Sequence, residues 1–209
     1  MPEFPATRAG TISKALVRAG CLPLQAGETQ HPSGPAVLLL YDVVLESLAS
    51  SYPWQHFRTA AKLQRQSAPP ALQWKHQFAL PVDAMGPPAS VHERPDCRAP
   101  FFGYELRDNL LLADVDAIYV RYRRLVEPGL WPGYFTDLFT LNLAAEYAQA
   151  IREDERLRAT LLRECFGPPE FHGQGGRYAY ATTADSQATP AEQAGNGFDV
   201  LGSVYRSGG

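Results

Sequence analysis

The sequence predicts an α+β, mainly helical fold: an antiparallel helix bundle with a small antiparallel β-sheet inserted between its helices, followed by an extended C-terminal arm. Three observations predict it. Apolar residues recur at helical spacing at both ends of the first 166 residues. The period changes to two between about residues 72 and 123. Past residue 166 the chain becomes rich in glycine and poor in apolar side chains. The division is therefore a core over 1–166, with helices at about 7–19, 36–66 and 131–165 and a sheet at about 72–123, and an arm over 167–209.

The first helix follows from Ile12, Ala15, Leu16 and Ala19, which share one face at i, i+3, i+4 and i+7, with Lys14 and Arg18 on the other side. Gly20 suits the residue after its last turn. Pro23, Gly27, Pro32, Gly34 and Pro35 make 22–35 a loop. Val37, Leu40, Tyr41, Val44, Leu45 and Leu48 form the cleanest amphipathic helix of the chain. Pro53 interrupts it, because the residue before a proline is pushed out of the helical region. Trp54, Phe57 and Ala61 then suggest a further helical stretch to about Gln66. Residues 72–80 alternate, with Leu72, Trp74, His76, Phe78 and Leu80 on one face, as a half-buried strand does. Residues 86–100 carry several prolines and read as an irregular connection. A strand pair within 101–112 and a strand at 118–123 complete a sheet of three or four strands. Arg107-Asp108-Asn109 is a tight-turn candidate, since Asp and Asn tolerate positive φ. Trp131, Phe135, Leu138, Phe139, Asn142 and Ala145 restore helical spacing. A charged helix, Arg152 to Glu164, is docked by Leu157, Leu161 and Phe166. Trp54, Phe57, Trp74, Phe135 and Phe139 are the predicted core aromatics.

The tail reads differently. Residues 181–197 hold no Val, Ile, Leu, Met or aromatic residue. Such a stretch does not offset an ordering cost of roughly 1–2 kcal/mol per residue, so it reads as a linker. Apolar side chains return at Phe198, Val200, Leu201, Val204 and Tyr205, a short patch on a tether, which suggests a docking arm, the alternative being a frayed terminus that packs nowhere.

Composition narrows function. The chain has 209 residues, 19 basic and 22 acidic, for a formal charge of −3, a poor field for dominant nucleic-acid binding. Cys21, Cys97 and Cys165 are odd in number and far apart, which argues against a disulfide framework or a zinc ribbon. The N-terminus lacks the pattern of a signal peptide, and the apolar run 35–48 is broken by Asp42 and Glu46, so no membrane role is expected.

Catalytic motifs are not found. His31, His56, His76, His92 and His172 are scattered, and none forms an H-E-x-x-H pair. His92, Asp96 and Cys97 share one proline-rich segment but need a further metal ligand. Gly173-Gln174-Gly175-Gly176 is expected to follow no strand and open no helix, and has no Lys-Ser/Thr, so it reads as tail glycine rather than a phosphate loop. Cys21 and Cys165 read as small buried hydrophobes. Asp114 and Asp116 read as hairpin-loop residues. The basic, aromatic run Tyr119–Arg124 reads as half of a strand facing solvent or a neighbouring subunit, ahead of a nucleic-acid surface. No cofactor or metal is expected, and no enzyme.

Several segments, in order, resemble one family. These are Arg18-Ala19-Gly20-Cys21 closing a short first helix, Tyr41-Asp42-Val43-Val44 in a long second one, Pro53-Trp54-Gln55-His56-Phe57 and Ala60-Ala61-Lys62-Leu63. The run Trp74 to Asp83, with its Leu80-Pro81-Val82-Asp83 end, follows. Then come Tyr119-Val120-Arg121-Tyr122, Pro128, and Phe135 with Ala144-Ala145. Over roughly 7–165 this resembles the head-to-tail adaptor proteins of short-tailed phages, the tail tubular protein A type. Loops 22–35 and 84–100 are richer in proline than that family's pattern, and the residues before Thr7 match nothing in it. The resemblance implies a virion protein made in the host cytoplasm: a dodecameric ring that joins the portal to the tail nozzle and continues the DNA channel without sequence-specific binding. The expected partners are further copies, the portal (through Phe198, Val200, Leu201, Val204 and Tyr205) and the nozzle or a neighbouring subunit (through Arg107, Asp108, Asn109, Arg121 and Arg123). The alternatives are a peptidoglycan-degrading or other tail-associated enzyme, and a monomeric helical interaction module.

Overall fold

The computed structural model describes residues 7–24, 34–68, 70 and 73–188. The patch at 198–205 lies outside them. The described chain is mixed α/β, with five helices and two small antiparallel sheets.

α1 (Arg8–Arg18) starts at Thr7, whose Oγ1 accepts from Gly10 N at 3.2 Å. It buries Ile12, Ala15 and Leu16, with Ala19 just beyond, the face the spacing predicts. Gly20 (φ +75°) turns the chain, and a side chain there would strike the guanidinium of Arg152, which donates to Gly20 O at 2.9 Å. α2 (Gly34–Ser51) buries Val37, Tyr41, Val44, Leu45 and Leu48. By length and composition alone it is apolar enough to cross a membrane. Here that face is core: Tyr147 Oη donates to Val37 O at 2.9 Å and Tyr41 packs edge-on to Phe139. α3 (Gly133–Arg152) is the central helix and touches α1, α2, α4 and α5. Glu153, left-handed at φ 54°, breaks it, and Asp154 caps α4 (Glu155–Phe166) by accepting from Leu157 N at 2.9 Å. Trp54, Phe57, Phe135 and Phe139 are all buried in this helical core, as predicted.

The stretch after Trp54 is not helical. A single 3-10 turn (Gln55–Phe57) leads into β1 (Arg58–Lys62) and β2 (Gln64–Arg65). The remaining strands are β3 (His76–Ala79), β4 (Ser90–His92), β5 (Tyr104–Arg107), β6 (Leu110–Ala113) and β7 (Tyr119–Arg123). They form two sheets, ordered β1-β7-β4 and β2-β3-β6-β5, where the sequence suggested one. β1 pairs with β7 from Arg58↔Arg123 to Lys62↔Tyr119. The helical spacing of Trp54, Phe57 and Ala61 is coincidental, because the three serve different cores. Trp54 and Phe57 join the helices, while Ala61 and Leu63 join a second cluster with Phe78, Val91, Leu111, Ile118 and Val120. Leu63, whose N–H donates to Ile118 O at 2.9 Å, is where one strand passes from the first sheet to the second. The predicted turn is present: Asp108 (φ 48°) and Asn109 (φ 63°) link β5 and β6.

Trp74 departs from the expectation. It precedes β3, is half-buried, and its indole N–H donates to Glu105 Oε2 at 3.0 Å. Phe78 holds the core position on that strand. Of the strand expected over 72–80, only 76–79 is a strand, and Leu72 lies outside the described residues.

The largest correction concerns the tail. α5 (Gly176–Gln187) is a helix packed on α3 and α4, so the linker reading fails over 181–187, and 189–197 lie outside the described residues. The glycines before it open this helix and permit its close approach. A Cβ at Gly176 (φ +56°) would collide with the Glu164 carbonyl and sit 2.8 Å from Gly167 N. Gly175 N donates to Phe166 O at 2.8 Å.

Candidate functional site

The strongest desolvated polar cluster holds α5 in place. Asp185 is fully buried, a costly position for a carboxylate unless it is hydrogen-bonded. Its Oδ atoms accept from Gln55 N at 3.2 and 3.0 Å and from Tyr134 Oη at 2.8 Å. His56 Nδ1 lies 3.7 Å from Asp185 Oδ1, and its side chain is 8% exposed. The ring packs on Phe57 and Phe135, with centroids 4.1 and 4.6 Å away. Neither ring nitrogen has a hydrogen-bond partner among the described residues. Burial pushes the His56 pKa down, and the Asp185 carboxylate only partly opposes it. Burial, then the hydrogen bond to Asp185, pushes the Tyr134 phenol up. A carboxylate beside an imidazole is two thirds of a nucleophile-activating triad, but no hydroxyl or thiol among the described residues reaches the ring. The arrangement is a clamp that joins α5 to the 3-10 turn and to α3.

The other candidates are occupied structurally. His92 Nε2 is 2.8 Å from Ser90 Oγ and Nδ1 is 2.9 Å from Ala99 O, so both nitrogens are used. Asp96 accepts from Arg98 N at 3.3 Å. Among the described residues no group of three or more His, Cys, Asp or Glu could hold a metal ion. Cys165 is buried with its thiol pushed up chiefly by burial, and Cys21 is raised for the same reason against the Arg152 charge. Neither thiol is activated. Asp114 accepts from Lys75 N at 2.9 Å, and Asp116 lies 3.2 Å from His76 Nε2 and 3.5 Å from Arg65. A groove of about 500 Å³ between the helices and the β7 exit is lined by Arg8, Tyr41, Asp42, Glu127 and Trp131. Arg8 grips Asp42 at 2.8 and 2.9 Å and lies 4.6 Å over the Tyr41 ring, so the groove's central charges serve each other. Burial raises the Tyr41 phenol to about 12.

The surfaces are less neutral than the interior. On α2 the face opposite the core exposes Leu38, Leu39 and Val43 by 47%, 65% and 53%. Residues 58–124 carry ten basic and seven acidic side chains, the rest of the chain nine and fifteen. The two halves of the predicted nozzle contact fall on different sheets. Arg107, Asp108 and Asn109 form the exposed β5–β6 turn, whereas Arg121 and Arg123 lie on the outward side of β7. Sequence reasoning missed Asp185 and His56. The one signal for Asp185 is its place three and seven residues beyond Thr182 and Tyr178, on the face of α5 that meets the core.

No protein-family model matches the chain, and no curated protein matches it.

Proposed function

We propose that this chain is a structural subunit of a phage neck: one wedge of a ring, dodecameric by the resemblance, that joins portal to tail nozzle and continues the DNA channel. The helices around α3 act as the bundle of that wedge, and the β5–β6 turn (Arg107–Asn109) faces the nozzle or the next subunit. The segment 198–205 is the portal-docking arm, tethered by whatever follows α5. The resemblance over 7–165 supplies the family. The observation that carries an assembly role is the uncovered apolar face of α2. A helix already committed to the core on one side exposes three large aliphatic side chains on the other, as a subunit that buries more surface on association does. The opposite charge balance of residues 58–124 and the remainder favours head-to-tail contact between copies, the heterologous geometry that closes rings.

The test is the mass of the purified full chain, alone and mixed with portal protein of the same phage. Light scattering or native mass spectrometry should show a ring-sized complex with portal. Leu39→Glu with Val43→Glu should prevent it while leaving the circular dichroism unchanged, since both side chains point away from the core. A persistently monomeric chain, or a double variant that assembles normally, contradicts this reading.

A further inference from the structure

We infer that the outward face of the β1–β7 ribbon binds the phosphate backbone of a nucleic acid. The outward positions of the two strands are Arg58, Ala60, Lys62, Tyr119, Arg121 and Arg123, and their inward neighbours Ala61, Val120 and Tyr122 line the β core. β4 adds Ser90 and the covered His92. Four of these eight positions are cationic and none is acidic, in a chain with more acidic than basic residues. Arg58 and Arg123 stand directly opposite each other in register, a like-charge pair that works against the sheet. Among the described residues no ion pair neutralises Arg58, Lys62 or Arg123. The Lys62 ammonium lies 5.9 Å from the centre of the Tyr119 ring. The next cation, Arg124, reaches Asp83 only at 3.4 Å, with both side chains about half exposed.

The chemistry of this face selects its occupant. Protein interfaces are anchored by buried aromatic and aliphatic side chains, and this ribbon offers only Ala60 and a Tyr119 beside the Lys62 ammonium. A polyanion needs no such anchor. It needs cations on a rigid support, here spaced about 5 Å across the strands and about 7 Å along them. Arginine is the residue suited to phosphate, through its planar donor fork. Among the described residues no base-reading element lies on this face, so binding is to the backbone and not to sequence. The net charge of −3 opposes it, which makes the contact weak and strongly salt-dependent, the behaviour of a surface along which nucleic acid slides.

The inference goes beyond the adaptor reading and does not require a ring. It is tested by fluorescence anisotropy of the full chain with two probes, a mixed-sequence DNA duplex and a single strand of equal length. Neutralising about three phosphates, one each on Arg58, Lys62 and Arg123, predicts a slope near −2.7 for log affinity against log salt on the duplex, roughly a forty-fold loss between about 50 and 200 mM. Arg58→Gln with Arg123→Gln should cut that slope to about a third. Arg156→Gln with Arg163→Gln, on the exposed side of α4, should leave it unchanged. Tighter binding of the single strand adds stacking on Tyr119 and supports the inference, as does equal binding of both probes. Failure to bind either probe at low salt, or equal losses in the two double variants, overturns it. A chain that binds DNA in this way but never assembles defeats the adaptor reading alone. One that assembles without salt-dependent binding defeats this inference alone.

Discussion

The helical part and the β part of this chain are built by different rules. Around α3 the helices share one cluster of 25 buried residues, where Trp54, Trp131, Phe135 and Phe139 meet edge to face about 5 Å apart. The strands close over eight buried residues, mostly aliphatic. The helices expose their largest group of aliphatic side chains on one side of α2. The strands leave a charged ribbon and a turn in solvent. A thick core resists change, whereas a thin one serves as a platform for exposed side chains.

The largest expected effect sharpens this contrast. Phe135→Ala should cost about 3–5 kcal/mol, because the ring contacts Trp54, His56, Phe57 and Trp131. Hydrogen exchange should show protection lost across α1, α2 and α5. Phe78→Ala should confine its loss to residues 58–124. Loss of protection across both parts from Phe78→Ala would erase the distinction.

The clamp gives the next effect. Asp185→Ala strands the Gln55 N–H and the Tyr134 hydroxyl, at about 1–3 kcal/mol for buried groups left unpaired. Limited proteolysis should then cut within α5 before any other helix. The same cluster responds to pH. The folded pKa of His56 lies below its ordinary value of about 6.5, so below that pH the unfolded chain takes up the proton first. Stability from the neutral ring is complete above about pH 6.5 and declines as pH falls toward the folded pKa. His56→Phe should flatten the part of the melting-temperature profile below about pH 6.5. An unchanged profile would remove His56 as its source.

The smallest effect concerns the ribbon. Arg58→Glu replaces a like-charge pair with an ion pair across from Arg123 and should stabilise the chain by about 0.2–1 kcal/mol. The same variant should bind DNA more weakly. A variant less stable than the parent would show that Arg58 has a structural partner.

Much of the helical part was legible in the sequence. Ile12, Ala15, Leu16 and Ala19, and then Val37, Tyr41, Val44, Leu45 and Leu48, are local patterns whose period states the buried face. β1 was not legible, because its partner lies about sixty residues later in β7 and alanines 60 and 61 carry little strand preference. α5 was not legible because its anchoring residue is a carboxylate. Apolar periodicity does not register Asp185, whose place is decided by hydrogen bonds from Gln55 and Tyr134. The phosphate-binding ribbon was half visible, as Tyr119–Arg124. It becomes a surface only once β1 brings Arg58 and Lys62 alongside.

The proposal most exposed to refutation is a ring of this chain in the neck of a phage particle. Electron cryo-microscopy of particles carrying a tagged copy tests it most directly. A neck subunit should give tag density in a symmetric ring between portal and nozzle, with α2 against the adjacent subunit. Particles with complete necks and no tag density would contradict it.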